Sequence, residues 1–168
     1  MDHGDAIRAA IGYEERIRDL YAEAAREASD APAKALFTAL GADEASHADY
    51  LKSRLAAWEG SGTLELPPLG SRLPDPKRIE ASIARAGRET VGEALGGEFG
   101  ALERALRAEE ETSAFYRDMV ATLPEASRPL FARFLEIEDG HTRIVRAELD
   151  LVSRTGHWFD VREFDLDD

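Results

Sequence analysis

A glutamate followed seven residues later by a tyrosine, then on the next stretch by a Leu-Phe pair and Glu-x-x-His, occurs twice in this chain. The first copy holds Glu14, Tyr21, Glu44 and His47; the second holds Glu109, Tyr116, Glu138 and His141, at an offset of 95 residues and then 94. Glu-x-x-His on a helix sets one carboxylate oxygen beside one imidazole nitrogen on a single face, and that donor pair suits a divalent cation. One such tetrapeptide arises by chance on many exposed helices. Two of them, each preceded by a matching Glu and Tyr, form a repeat with a chemical content.

The face each acid occupies sharpens this reading. In steps of three and four, Glu14 falls between Ile11 and Ile17, and Glu44 and His47 fall between Leu40 and Leu51. In the second copy Glu109 falls between Leu106 and Ser113, and Glu138 and His141 fall between Phe134 and Val145. All six are expected to point inward. Carboxylates about 4 Å apart repel by up to about 4 kcal/mol per pair at an effective dielectric of about 20, and burial adds a desolvation cost. The arginines of these segments (Arg16, Arg18, Arg104, Arg107, Arg143 and Arg146) fall largely on solvent faces, so they offer no counter-charge. Two divalent ions would balance four glutamates.

The elements that must position these groups are helices. Ile7, Ile11, Ile17, Tyr21 and Ala24 or Ala25 form an apolar stripe that predicts a first helix over about 5–28. Ser29 to Pro32 supplies capping side chains and an opening proline for a second helix over about 33–59, with Phe37, Leu40, Leu51, Leu55 and Trp58 as its stripe. Residues 60–97 form a connection: Gly60 to Pro76 carries four prolines and three glycines, Asp75 and Pro76 can open a short helix to about Ala86, and Gly87, Gly92, Gly96 and Gly97 follow. Third and fourth long helices are expected at about 98–122 and 128–154, the last stopped by Gly156. No run reads as a strand. Four long helices and one long crossover between the second and third describe an all-α four-helix bundle in a single domain, 1–168. A connection of nearly 40 residues can travel back along a helix that is about 38 Å long. The tail, 155–168, holds Trp158, Phe159, Val161, Phe164 and Leu166 and is expected to dock on the bundle or on a neighbouring subunit.

Composition narrows the partners. With 34 acidic against 21 basic side chains the formal charge is −13, which repels phosphate backbones and anionic lipid, so neither nucleic acid nor membrane is an expected partner. The chain has no cysteine, which leaves Glu, Asp and His as the only strong metal ligands. No basic flank precedes an apolar signal region and no apolar run is long enough to span a bilayer; a soluble, cytoplasmic chain is expected. His3 and His157 read as surface residues and Glu110 and Glu111 as solvated neighbours of Glu109; Asp43 and Asp139 could be hydrogen-bond partners of the histidines, but a residue next to a ligand more often faces away.

The half-motifs AIGYEERIRDLY (Ala10 to Tyr21) and ALRAEEETSAFY (Ala105 to Tyr116), followed by EASH and EDGH, resemble the rubrerythrin branch of the ferritin-like superfamily, over about Ala10 to Leu151. The resemblance implies a ferritin-like bundle with two iron ions per chain. Glu14 and Glu109 would be terminal ligands of separate irons, Glu44 and Glu138 bridging ligands, His47 and His141 nitrogen ligands, and Tyr21 and Tyr116 hydrogen-bond partners of the cluster carboxylates. It further implies an oxidoreductase that reduces peroxide, or oxidises ferrous iron with dioxygen, in oxidative stress or iron handling. Two features depart from the pattern. Without cysteine there is no rubredoxin module, so electrons must come from an external donor; and where such proteins tend to carry an extra Glu one turn after the third-helix ligand, this chain has Thr112. Manganese or zinc would accept the same ligands. A non-catalytic iron-binding, storage or sensing module is the alternative expectation, a metal-free helical interaction protein a more distant one, and a homodimer or higher homo-oligomer the expected assembly.

Overall fold

A computed structural model describes residues 2–63, 65–71, 73–86 and 97–164. Every regular element among them is helical: α1 (His3–Glu27), α2 (Ala31–Ser61), α3 (Pro76–Ala86), α4 (Gly97–Thr122), α5 (Arg128–Thr155) and a 3₁₀ turn, Val161–Phe164. Helix α1 opens two residues ahead of the sequence expectation because Asp2 caps it, its side chain accepting from the Asp5 N–H at 2.8 Å. Asp30 does the same for α2, accepting from the Ala33 N–H at 2.9 Å, with Pro32 in the first turn. Gly62 and Gly156 close α2 and α5 in the left-handed region, at φ 68° and 71°, where a side chain would be strained. The glycine stretch at Gly87, Gly92 and Gly96 lies outside the described residues.

Helices α1 and α2 pack as one hairpin and α4 and α5 as another; α1 faces α4 between them, and α3 lies on α5. Apolar burial falls into two clusters. One gathers Ile17, Tyr21, Leu36, Phe37, Leu40, Leu102, Ala105, Ile144, Val145 and Leu151; the other gathers Ala6, Ile7, Ala10, Leu51, Tyr116, Met119, Phe131 and Phe134. Each long helix contributes to both. On each, the gap between the two clusters is where the inward acids stand: Glu14 on α1, Glu44 and His47 on α2, Glu109 on α4, Glu138 and His141 on α5. Ile11, Leu55 and Trp58, assigned to the stripes from periodicity, are only half-buried at the periphery. His3 is a correction to the sequence reading: it is buried, its Nδ1 2.7 Å from Ser127 Oγ and its ring 4.6 Å from that of Trp58. Capping by Asp2 draws it into the first helical turn, against the α4–α5 loop. His157 is exposed as expected.

The tail docks on its own bundle. Phe159 and Val161 are buried in the first apolar cluster, and the Trp158 ring stands edge-on to Phe37 at 5.6 Å. The Phe164 side chain and Leu166 lie outside the described residues. A buried acid outside the sequence candidates, Glu148, which follows Val145 by three residues on the same stripe, anchors the tail by accepting from the Phe159 N–H at 2.7 Å. Burial raises its carboxyl from 4.5 to about 8, against the opposing effect of that hydrogen bond. A carboxyl with a raised folded-state pKa loses stability as pH rises, because the unfolded chain ionises first. The loss begins near 4.5 and is complete at about 8. Glu148→Gln is expected to match the parent in thermal denaturation near pH 4.5 and to exceed it increasingly toward pH 8, by up to about 3 kcal/mol at neutrality.

Candidate metal centre

Six side chains from four helices converge at the level between the apolar clusters, and all six are at most 1% exposed. They form two overlapping groups, Glu14, Glu44, His47 and Glu138, and Glu44, Glu109, Glu138 and His141. Within each group the potential ligand atoms lie within 4.8 Å of one another, so each group could hold a metal ion, and Glu44 and Glu138 are common to both. Nδ1 of His47 is 3.4 Å from both Glu14 Oε2 and Glu44 Oε2 and 3.7 Å from Glu138 Oε1. Nδ1 of His141 is 2.6 Å from Glu44 Oε1 and 3.9 Å from Glu138 Oε2. Even the 2.6 Å approach forms no directional hydrogen bond, since the Nδ1 atom has no aligned partner.

The two tyrosines cross between hairpins. Tyr21 of α1 donates to Glu109 Oε1 of α4 at 2.5 Å, and Tyr116 of α4 donates to Glu14 Oε1 of α1. Each bond orients one carboxylate and leaves its second oxygen facing the interior. Among the described residues nine buried side-chain polar atoms lack a hydrogen-bond partner, and seven of them belong to this cluster: Glu14 Oε2, Glu44 Oε1, His47 Nε2, Glu109 Oε2, both Glu138 oxygens and His141 Nδ1. Buried polar atoms are rarely left so, and a concentration of them on hard oxygen and imidazole donors fits a divalent cation.

Electrostatics tell the same story from the charge side. Among the described residues no Lys or Arg nitrogen comes within 4.0 Å of the four carboxylates. The arginines are engaged outside: Arg16 with Glu111, Arg146 with Glu110, Arg143 with Glu80. Burial, reinforced by the charge of Glu44, raises Glu14 to about 8 and Glu109 to about 7, and pushes Glu138 well above the carboxylate range. Glu44 goes the other way: burial opposes its ionisation, but the adjoining His141 and His47 more than compensate and hold it charged. His47 rises to about 9 despite burial, through its contacts with Glu14 and Glu44, and His141 rises well above its ordinary value beside Glu44 and Asp43. Burial and the facing glutamates keep Tyr21 and Tyr116 protonated far above 10. Burial and mutual repulsion thus favour protonation at Glu14, Glu109 and Glu138, and a bound cation would compete with those protons.

Asp43 and Asp139 separate. Asp139 is half-exposed and pairs with Arg117 at 3.1 Å, as expected. Asp43 does not face away: it is fully buried, and His141 Nε2 is 3.0 Å from its Oδ2. The signal was present in the spacing, since Asp43 lies three residues after Leu40 and four before His47, on the same stripe. Ser71 had no such signal. It reaches Asp43 Oδ2 at 2.5 Å from a loop that has no period. Thr112 is buried, its hydroxyl donating to the Ala108 carbonyl at 3.0 Å. Comparison of the chain with family models, curated proteins and solved structures finds no match in any of the three.

A cation binds the deprotonated form of these ligands, so affinity is expected to rise with pH across about 7 to 9, where Glu109, Glu14 and His47 give up their protons. Proton release on adding a divalent metal, read with an indicator dye in weak buffer, checks this. Metal at a hundred times its dissociation constant should stabilise the chain by about 2.7 kcal/mol. Glu138→Leu, which removes one buried acid, is expected to melt above the metal-free parent and to lose that metal-dependent gain.

Proposed function

We propose that the chain is a two-metal carboxylate protein of the rubrerythrin-like kind, a ferritin-like bundle with one long crossover that carries two iron ions. One site would use Glu14 and His47, the other Glu109 and His141, with Glu44 and Glu138 between them. The observation that carries the reading is the convergence at one level of four buried glutamates and two imidazoles from four helices, with several of their inward oxygens lacking a hydrogen-bond partner. Held by these six side chains, two ferrous ions would supply two electrons to peroxide or dioxygen, which makes peroxide reduction or ferrous iron oxidation the proposed activity. The chain's own residues prepare the place. Tyr21 and Tyr116 hold Glu109 and Glu14 in fixed orientation and keep their phenolic protons at the cluster edge. Phe134 stacks on Tyr116 and stands edge-on to His47, at 5.2 and 5.6 Å, so the surroundings are dry and aromatic. With no cysteine in the chain, repeated turnover draws on an electron donor from outside it.

A second reading, a module that binds iron without turnover, is favoured by Thr112. Its hydroxyl is occupied by its own helix, so it offers no carboxylate for a ligand exchange one turn beyond Glu109. Anaerobic loading with ferrous iron followed by hydrogen peroxide tests both. Binding of about two ferrous ions per chain is expected, with rapid growth of ferric near-ultraviolet absorbance and consumption of one peroxide per two irons. Sustained peroxide consumption with a generic reductant supports the oxidoreductase. Binding without turnover leaves the second reading, and no ferrous binding sinks both.

A further inference from the structure

The internal repeat makes the six ligand candidates look equivalent in pairs, but their surroundings are not. Behind His141 stands Asp43, whose Oδ2 lies 3.0 Å from the ring Nε2. Behind His47 the nearest carboxylate is the same Asp43 oxygen at 3.7 Å, and His47 Nε2 is buried without a hydrogen-bond partner. The repeat explains the inequality: the residue before Glu44 is Asp43, whereas the residue before Glu138 is Ile137. One half of the centre has a carboxylate to address the opposite histidine, and the other half has an aliphatic side chain in its place.

The connection between hairpins adds to the difference. Ser71 Oγ accepts from the Leu73 N–H at 3.0 Å, which leaves its own hydrogen to donate to Asp43 Oδ2 at 2.5 Å. At Gly140, the residue before His141, a Cβ would come within 2.9 Å of Pro76 Cγ, so α3 seats its first turn directly on this backbone. The residue before His47 is Ser46, with no such requirement. His141 is thus held through Asp43 and Ser71 and flanked by Pro76, while His47 keeps one ring nitrogen unsupported.

We infer that the two metal positions are inequivalent, the group with His141 and Glu109 binding more tightly than the group with His47 and Glu14, and that Asp43 and Ser71 are the positioning residues that set the difference. The inference rests on the two-metal reading above. A carboxylate on the remote N–H of a ligating imidazole fixes the tautomer, aims the other nitrogen at the metal and raises its basicity. Removing such a partner typically weakens metal binding about 10- to 100-fold.

Titration of the full metal-free chain with Co²⁺, followed by calorimetry and visible absorbance, tests this without reference to activity. Two bound cations repel each other, so two steps alone would not distinguish the positions; the variants do. Asp43→Ala is expected to weaken the first step by about tenfold or more, and Ser71→Ala, in an exposed loop that spares the core, in the same direction by less. Both should leave the Co²⁺ absorbance of the second step unchanged. His47→Ala should abolish the second step and keep the first. Loss of the first step in His47→Ala, or equal weakening of both steps in Asp43→Ala and Ser71→Ala, would overturn the inequality while leaving a two-metal centre standing. No Co²⁺ uptake by the parent would instead remove the two-metal reading itself.

Discussion

Four glutamates share one buried level with two imidazoles and, among the described residues, with no Lys or Arg beside them, and that electrostatic problem governs the rest of the molecule. The apolar clusters above and below exclude water, which lowers the local dielectric and strengthens every repulsion between the acids. Protonation offsets it in part, and the raised pKa values of Glu14, Glu109, Glu138 and both histidines point that way. Cations would relieve it more completely. A core that served stability alone would place leucines at these six positions.

The same constraint explains why the hairpins are tied as they are. Helices α1 and α4 meet across the bundle, and at that seam each donates a tyrosine hydroxyl to the other's glutamate. These bonds join the halves of the protein at the acids themselves, so docking of one hairpin on the other and orientation of the carboxylates are one event. Tyr21 belongs to one apolar cluster and Tyr116 to the other, which clamps the acidic level from both sides. A polar network of this kind adds specificity to an interface that aliphatic contacts alone would leave free to slide.

The connection is more than a tether. Its helix α3 buries Ile79 and Ile83, and its loop carries Ser71 to Asp43. Contact with α5 at Gly140 brings it next to a candidate metal ligand. A cleft of about 550 Å³ lies along this contact, lined by Ser71, Pro76, Gly140 and His141 among others, and reaches the edge of the cluster at His141. The halves of the repeat are alike where they supply candidate ligands and unlike where the connection touches them.

Helix periodicity was enough to place Glu14, Glu44, His47, Glu109, Glu138 and His141 on inward faces, because a 3.6-residue repeat against an apolar stripe is a local property of the chain. The long helices were legible for the same reason, and the caps at Asp30 and Gly156 by residue type, whereas the cap at Asp2 and the stop at Gly62 were not singled out. Asp43 was legible too, by its spacing from Leu40 and His47, although a residue next to a ligand more often faces away. Glu148 lies on the stripe of His141 and Val145, so its inward face was legible but its partner, the Phe159 N–H of the tail, was not; His3 and Ser71 were not legible, because a surface-looking histidine and a loop serine acquire their environments only when Ser127 and Asp43 arrive from distant parts of the chain. Local sequence thus decided which side chains face the centre. Tertiary packing decided which of their remaining atoms find partners, because hydrogen bonding across elements depends on distances of a few tenths of an ångström that no single helix contains.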